Sequence, residues 1–299
     1  MTALLDTGPA EAAGTAVIPA RRKLSPRARA ENTFRHVVLT VLALLTMFPV
    51  VLILSTALKT PEDVDLNPFG FFSSFSFDNL ATAWTVGRFG DYLFNSVLLT
   101  VPTVLLTLVV SVLGGYAFAR LPFPGRGIIF YLVSLGLLVP FFTYMIPLYF
   151  QLRGMGLLDT YPGVVLVLTS VALPFGMFFM RAFFVDLPYE IEESARLDGC
   201  SEWQIFRSIM LPLGTPGIGT LAIFTALQTW NNFLIPLLFL PGGELRPLTT
   251  GIYLFAGGRT SEIGPLAAGT LITILPIIVL FVILQRQVVS GFLAGAVKG

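Results

Sequence analysis

EESARLDGCSEWQIFRSIMLP, residues 192–212, places six charged side chains within 21 positions. Over the whole 299-residue chain only 12% of residues are charged and 55% are hydrophobic, with a mean hydropathy of +0.83, far from the balance of a soluble domain. The charged segment is therefore an island, bounded by uncharged runs at 160–180 and 211–243. Four more such runs lie further out, at 37–58, 92–119, 127–152 and 263–285. Each reaches the roughly 20 residues needed to cross a hydrocarbon core, so the sequence predicts an all-α polytopic membrane protein with six transmembrane helices. The uncharged runs at 66–77 and 247–258 are too short to span and read as interfacial or re-entrant.

With six crossings, 13 of the 18 Lys and Arg residues fall on the side of the N-terminus, Arg35, Arg120, Arg126, Arg181, Arg196 and Arg207 among them. Lys59, Arg88, Arg153, Arg246 and Arg259 fall on the other side. The positive-inside rule then puts both termini and the charged island in the cytoplasm. Residues 1–35, rich in Ala, Pro, Gly and Arg, read as a disordered basic tail. The tail is too long for a secretory n-region, so the first span is expected to remain as an uncleaved anchor. On this reading 36–290 is the transmembrane domain and 291–299 a cytoplasmic C-terminal tail.

Several function classes are disfavoured by residue type. The only three lysines are Lys23, Lys59 and Lys298, and none stands in a G-x-x-x-x-G-K-[ST] phosphate-binding loop. The six runs carry no Asp, Glu, Lys or Arg, which weakens a proton-driven carrier, although a sodium site built from carbonyl and hydroxyl oxygens stays open. His36 is the only histidine and Cys200 the only cysteine, so no zinc-protease motif, intramolecular disulfide or multi-thiolate metal site can form. His36 reads as an interfacial side chain. Energy for any transport must come from outside the chain.

Within the island the signals are those of two short helices. Asp186 is expected to cap the first, with Pro188 in its opening turn and Glu190, Glu192 and Glu193 at its positive end. Gly199 supplies the stop. Ser201-Glu202-Trp203-Gln204 fits a capping box for the second helix. Trp203, Phe206 and Met210 are spaced to form one bulky apolar face, and Leu211-Pro212 ends the helix at the next span.

The same residues resemble the EAA loop of ATP-binding-cassette importer permeases: Glu193-Ser194-Ala195, Asp198-Gly199, then Ile209-Met210-Leu211-Pro212, with Ser194 replacing an alanine. GYAFARLPFPGR at 115–126, TWNNFLIPL at 229–237 and the ending GAVKG at 295–299 are similar to segments of carbohydrate-uptake permeases, the smaller maltose-type subunit in particular. The likeness runs from about residue 30 onward.

The resemblance implies a type I importer permease fold with a cytoplasmic coupling helix between spans 4 and 5. It implies one half of a heterodimeric pore, paired with a second permease, two copies of a cytosolic ATP-binding subunit and an extracytoplasmic sugar-binding protein. ATP and Mg would be held by the ATPase subunit, with no cofactor in this chain. Glu193, Ser194, Ala195, Asp198, Gly199, Trp203, Phe206, Ile209, Leu211 and Pro212 would form the joint, with Trp203 and Phe206 filling an ATPase groove. Gly295, Lys298 and Gly299 would make a C-terminal contact with the ATPase. For the substrate path, Gln228, Asn231 and Asn232 are the polar candidates in the fifth span, with interhelical bonding as their other reading. A polyol or glycerol-phosphate importer, an ion-coupled carrier and a non-transporting membrane scaffold are the alternatives.

Overall fold

The computed structural model describes residues 26–257 and 263–296, whose regular structure is helical, with no strand among them. In order the helices are α1 (Pro26–Ala57), α2 (Pro61–Leu66), α3 (Asp78–Thr85), α4 (Phe89–Arg120), α5 (Arg126–Leu135), α6 (Phe141–Gly154) and α7 (Tyr161–Val185). There follow α8 (Glu190–Leu197), α9 (Glu202–Ile205), a π-helical turn (Phe206–Met210), α10 (Leu211–Leu213), α11 (Thr215–Trp230), α12 (Leu234–Phe239), α13 (Leu248–Ala256) and α14 (Ile263–Ala296). The chain divides into two units, 1–50 and 51–299. In the first, the described part of α1 carries apolar side chains on every side, Phe34, Leu39, Leu44 and Phe48 among them, the pattern of a helix made for an apolar surround.

Among the described residues, three of the six uncharged runs form helices long and apolar enough to cross a membrane, at Glu31–Ala57, Phe89–Arg120 and Tyr161–Val185. The run at 127–152 is not one helix: it breaks between α5 and α6. Pro140 supplies no N–H and holds the chain extended at ψ 136°, while the N–H groups of Gly136, Leu137 and Leu138 close tight turns onto carbonyls three residues back. The run at 211–243 breaks twice. A 69° bend at Gly214 separates Glu202–Leu213 from α11, and residues 231–233 separate α11 from α12. Pro102, Pro174 and Pro276 stay inside continuous helices, and Pro236 sits in the first turn of α12.

In the second unit α4 and α7 form the most extensive helix pair, and glycine is the reason they come so close. A Cβ on Gly115 would lie 2.6 Å from Met180 Cβ and 2.9 Å from the Arg181 nitrogen, and one on Gly176 would meet Ser111 Oγ. Thr103, Thr107 and Ser111 complete the small-residue face of α4, all fully buried, as expected where apolar solvent gives helices no hydrophobic reason to associate. Apolar clusters sit at both ends of the pair. One joins Leu99, Val164, Val167 and Leu168 to Ile235 and Phe239 of α12. The other joins Tyr116, Met180 and Phe184 to Ala195, Phe206 and Met210 of the charged island. Gly115→Ala is therefore expected to cost about 1–3 kcal/mol by overpacking against backbone. Gly127→Ala, which meets nothing within 4 Å, is expected to be neutral; thermal unfolding of both variants in detergent provides the check.

Candidate functional site

The island folds as a helix, a glycine turn and a second helix. Gly199 has φ +83°, its N–H donates to the Arg196 carbonyl and that of Cys200 to the Ala195 carbonyl, so α8 ends in a complete Schellman motif. A Cβ on Gly199 would meet nothing within 4 Å, so only backbone strain opposes a side chain there. The capping box forms: Gln204 N–H donates to Ser201 Oγ at 3.4 Å, and Ser201 N–H donates to Gln204 Oε1 at 2.8 Å.

Two local expectations are corrected. Asp186 does not cap the first helix; it is the C-terminal cap residue of α7, and Tyr189 precedes α8 without a side-chain cap, because α7 continues five residues beyond Met180 before the chain turns. Nor does Pro212 end the second helix, which runs to Leu213. Proline cannot donate to Ser208, and the preceding turn widens so that Leu211 N–H reaches the Phe206 carbonyl. The apolar face also divides. Phe206 (5% exposed) and Met210 (0%) turn into the bundle beside Ile205 (0%), whereas Trp203 stays 61% exposed with its ring 5.4 Å from that of Phe206. Phe206 is thus a core residue against Tyr116, ring centroids 4.9 Å apart, and is not free to enter a partner's groove.

Of the other joint residues, Glu193, Ser194, Asp198 and Pro212 are exposed, Ala195 is buried, and Ile209 and Leu211 are half-buried. Ser194 Oγ donates to the Glu190 carbonyl at 2.8 Å. The outward surface of the turn presents Leu197, 89% exposed, together with Trp203.

A chain of charges holds this loop, and its anchor lies outside the resemblance motif. Arg120, the last residue of α4, comes within 3.2 Å of Glu192 Oε1, with the two side chains 6% and 0% exposed. Its Nε–H is directed at the Phe184 carbonyl at 3.1 Å, and its Nη2 donates to the Phe184 and Leu187 carbonyls, so the contact with Glu192 is ionic. Arg196 Nη2 donates to Glu192 Oε2 at 3.2 Å and Nε to Glu202 Oε1 at 2.8 Å. Hydrogen bonding and charge from Arg196 hold the Glu202 carboxyl below its ordinary value of 4.5, and the bond to Glu202 in turn raises the Arg196 guanidinium. The i, i+4 spacing of Glu192 and Arg196 was visible in the sequence as a helix pair. The reach of Arg120 across 72 positions was not.

The substrate-path candidates are placed at the break after α11. Gln228 is exposed. Asn231 Nδ2 donates to the Leu227 carbonyl at 2.9 Å, and Asn232 Oδ1 accepts from Ile235 N–H at 3.0 Å, so both asparagines satisfy the interrupted backbone. Beside them a groove of about 430 Å³ between α4, α11 and α14 is lined by Val97, Val104, Trp230 and Pro276 and is almost wholly apolar. At the opposite end of α4 from Arg120, Asn95 donates to the Glu244 and Arg246 carbonyls and accepts from the Tyr161 hydroxyl at 2.6 Å. Gly295 is helical in α14; Lys298 and Gly299 lie outside the described residues. No group of acidic, His and Cys side chains able to hold a metal occurs among the described residues.

A helical membrane component, with a charged loop locked rigidly onto the end of its central helix pair, is the class these features define. The family model for the binding-protein-dependent transport system inner membrane component matches residues 111–291, and the chain belongs to that family, the permease subunits of ATP-binding-cassette importers. The diacetylchitobiose uptake system permease protein NgcG of Streptomyces coelicolor is 34% identical over 88% of both chains. The arabinooligosaccharides transport system permease protein AraQ of Bacillus subtilis is 36% identical over 87% of this chain and 93% of its own. The trehalose transport system permease protein SugB of Mycobacterium tuberculosis is 33% identical over 89% and 98%. The crystal structure of a bacterial transporter that imports alginate shares the fold, with a TM-score of 0.77 at 22% identity over 88% of this chain and 98% of that one. As a permease of this family the chain is integral to the cytoplasmic membrane and works with ATPase subunits and a substrate-binding protein, without an ATPase site of its own.

Two outcomes follow from the loop geometry. Phe206→Ala is expected to cost about 3–5 kcal/mol, the range for emptying a core aromatic site, and Trp203→Ala under about 0.5 kcal/mol, as at a surface; thermal unfolding in detergent separates them. Because the folded-state value of Glu202 is depressed, its contribution is present above the ordinary glutamate range and lost as pH falls through the lowered value. Amide exchange at 201–205, corrected for intrinsic rate, should stay flat from pH 5 to 8 and rise only in acid, and Glu202→Gln should remove that acid step.

Proposed function

We propose that this chain is the translocation subunit of an ATP-driven, binding-protein-dependent importer of a sugar or oligosaccharide. The observation that carries the reading is identity of 33–36% over roughly nine-tenths of the chain to permeases named for diacetylchitobiose, arabino-oligosaccharide and trehalose uptake. The same architecture for a polyol or glycerol phosphate differs only in cargo.

In this reading the chain crosses the membrane six times: α1, α4, the broken pair α5 and α6, α7, the broken pair α11 and α12, and α14. Both termini are cytoplasmic, in keeping with the 13-to-5 division of Lys and Arg. A second permease completes the pore, and two ATP-binding subunits carry ATP and Mg. The coupling element is the loop at 186–212, with Leu197 and Trp203 as the surface offered to the ATPase. Their exposure on either side of a rigid Schellman turn supports that role. Gly295, Lys298 and Gly299 are proposed as a second contact.

Purification from native membranes in mild detergent, with mass spectrometry of what accompanies the chain, should yield a second permease and an ATPase. Reconstituted with them and the cognate binding protein, it should accumulate labelled diacetylchitobiose, arabino-oligosaccharide or trehalose only with ATP. A chain that is stable alone and moves solute down an imposed ion gradient would overturn the importer reading in favour of a secondary carrier.

A further inference from the structure

We infer that Arg120 is the positioning residue that makes the 186–212 loop and the α4–α7 pair move as one body, so that a displacement imposed on the loop is delivered to both helices. This rests on the coupling reading above and adds the element that transmits the motion.

Three observations carry it. First, one buried guanidinium holds three segments together: it ends α4, donates to carbonyls at the end of α7 and in the link to α8, and faces the fully buried Glu192 of α8. The remaining loop contacts in this cluster are apolar surfaces, which can slide, whereas a forked set of charge-assisted bonds fixes direction as well as distance. Second, the ionic chain continues through Arg196 to Glu202 and so bridges the glycine turn, stiffening the one joint between α8 and α9. Third, Gly115 lies five residues before Arg120 on the same helix, where a Cβ would strike Met180 and the backbone of Arg181; a pull on Arg120 is therefore passed to α7 without slack. On the side of α11 the loop leaves instead through the π-widened turn and the 69° bend at Gly214. Stability alone does not account for this arrangement, since a packed apolar pair commonly does as well as a buried ion pair.

The test is the ratio of solute taken up to ATP hydrolysed in liposomes holding the complete complex. The probe is whichever of labelled diacetylchitobiose, arabino-oligosaccharide or trehalose the unaltered complex accumulates. Arg120→Gln and Glu192→Gln should retain the ATPase subunit in normal amount and continue to hydrolyse ATP. Their uptake per ATP should fall about tenfold, within the range of ordinary coupling between sites. Arg120→Lys keeps the charge but not the fork, and should recover part of the ratio. An unchanged ratio in Arg120→Gln, or a parallel loss of uptake and hydrolysis that leaves the ratio intact, would overturn the inference. If Arg120→Gln does not reach the membrane, Glu192→Gln and Arg120→Lys decide by the same ratio. Trp203→Glu separates the two levels: retention of the ATPase by that variant would sink the coupling reading itself. Its loss, with a normal ratio in Arg120→Gln, would sink only the role of Arg120.

Discussion

The ion pair between Arg120 and Glu192 is the constraint around which the loop end of this protein is organised. An isolated guanidinium or carboxylate withdrawn from water costs several kcal/mol, and these two side chains are 6% and 0% exposed. The fold offsets part of that cost by supplying partners, although Glu192 Oε1 accepts no hydrogen bond and is held by the charge of Arg120 alone. The carbonyls of Phe184 and Leu187, left open where α7 ends, receive the guanidinium. Arg196, one turn after Glu192 on α8, covers the other carboxylate oxygen.

Close approach of α4 to α7 is the condition that lets Arg120 reach these groups. Gly115 and Gly176 remove the side chains that would hold the helices apart, and Thr103, Thr107 and Ser111 keep the rest of the seam thin. In a bilayer apolar bulk gives no net attraction between helices, so van der Waals contact over small residues must supply it. The larger apolar residues are placed at the two ends of the seam. There Phe206, Phe184 and Tyr116 seal one end and Phe239 with Leu168 the other.

Long-range order of this kind was only partly legible in the sequence. Helical class, the charged island, the Gly199 stop and the Ser201–Gln204 box could all be read, because each depends on residues within four or five positions of one another. The breaks at Gly136–Pro140 and at 231–233 were hidden inside unbroken uncharged runs, since hydropathy records composition and not which carbonyls lose their donors. The face containing Trp203, Phe206 and Met210 followed from an ideal 3.6-residue period, but packing against the bundle buries Phe206 and Met210 and leaves Trp203 exposed. Arg120 read as a cytoplasmic charge for orientation; its burial depends on α4 and α7 meeting, which no local pattern encodes.

The break after α11 bears on where a hydrated solute could pass. Asn231 and Asn232 are the kind of residue expected to bind sugar hydroxyls, yet their side chains already serve the Leu227 carbonyl and the Ile235 N–H. The Ile235 N–H depends on Asn232 for its bond, whereas the Leu227 carbonyl also accepts the Asn231 backbone N–H at 3.1 Å. The neighbouring groove of Val97, Val104, Trp230 and Pro276 offers almost no polar surface, and a sugar entering it would lose hydration without compensation. Of the candidates at the break, Gln228 and Asn231 are exposed, and of these two Asn231 has its side-chain amide bonded to backbone. Further hydroxyl contacts must come from surfaces outside the groove.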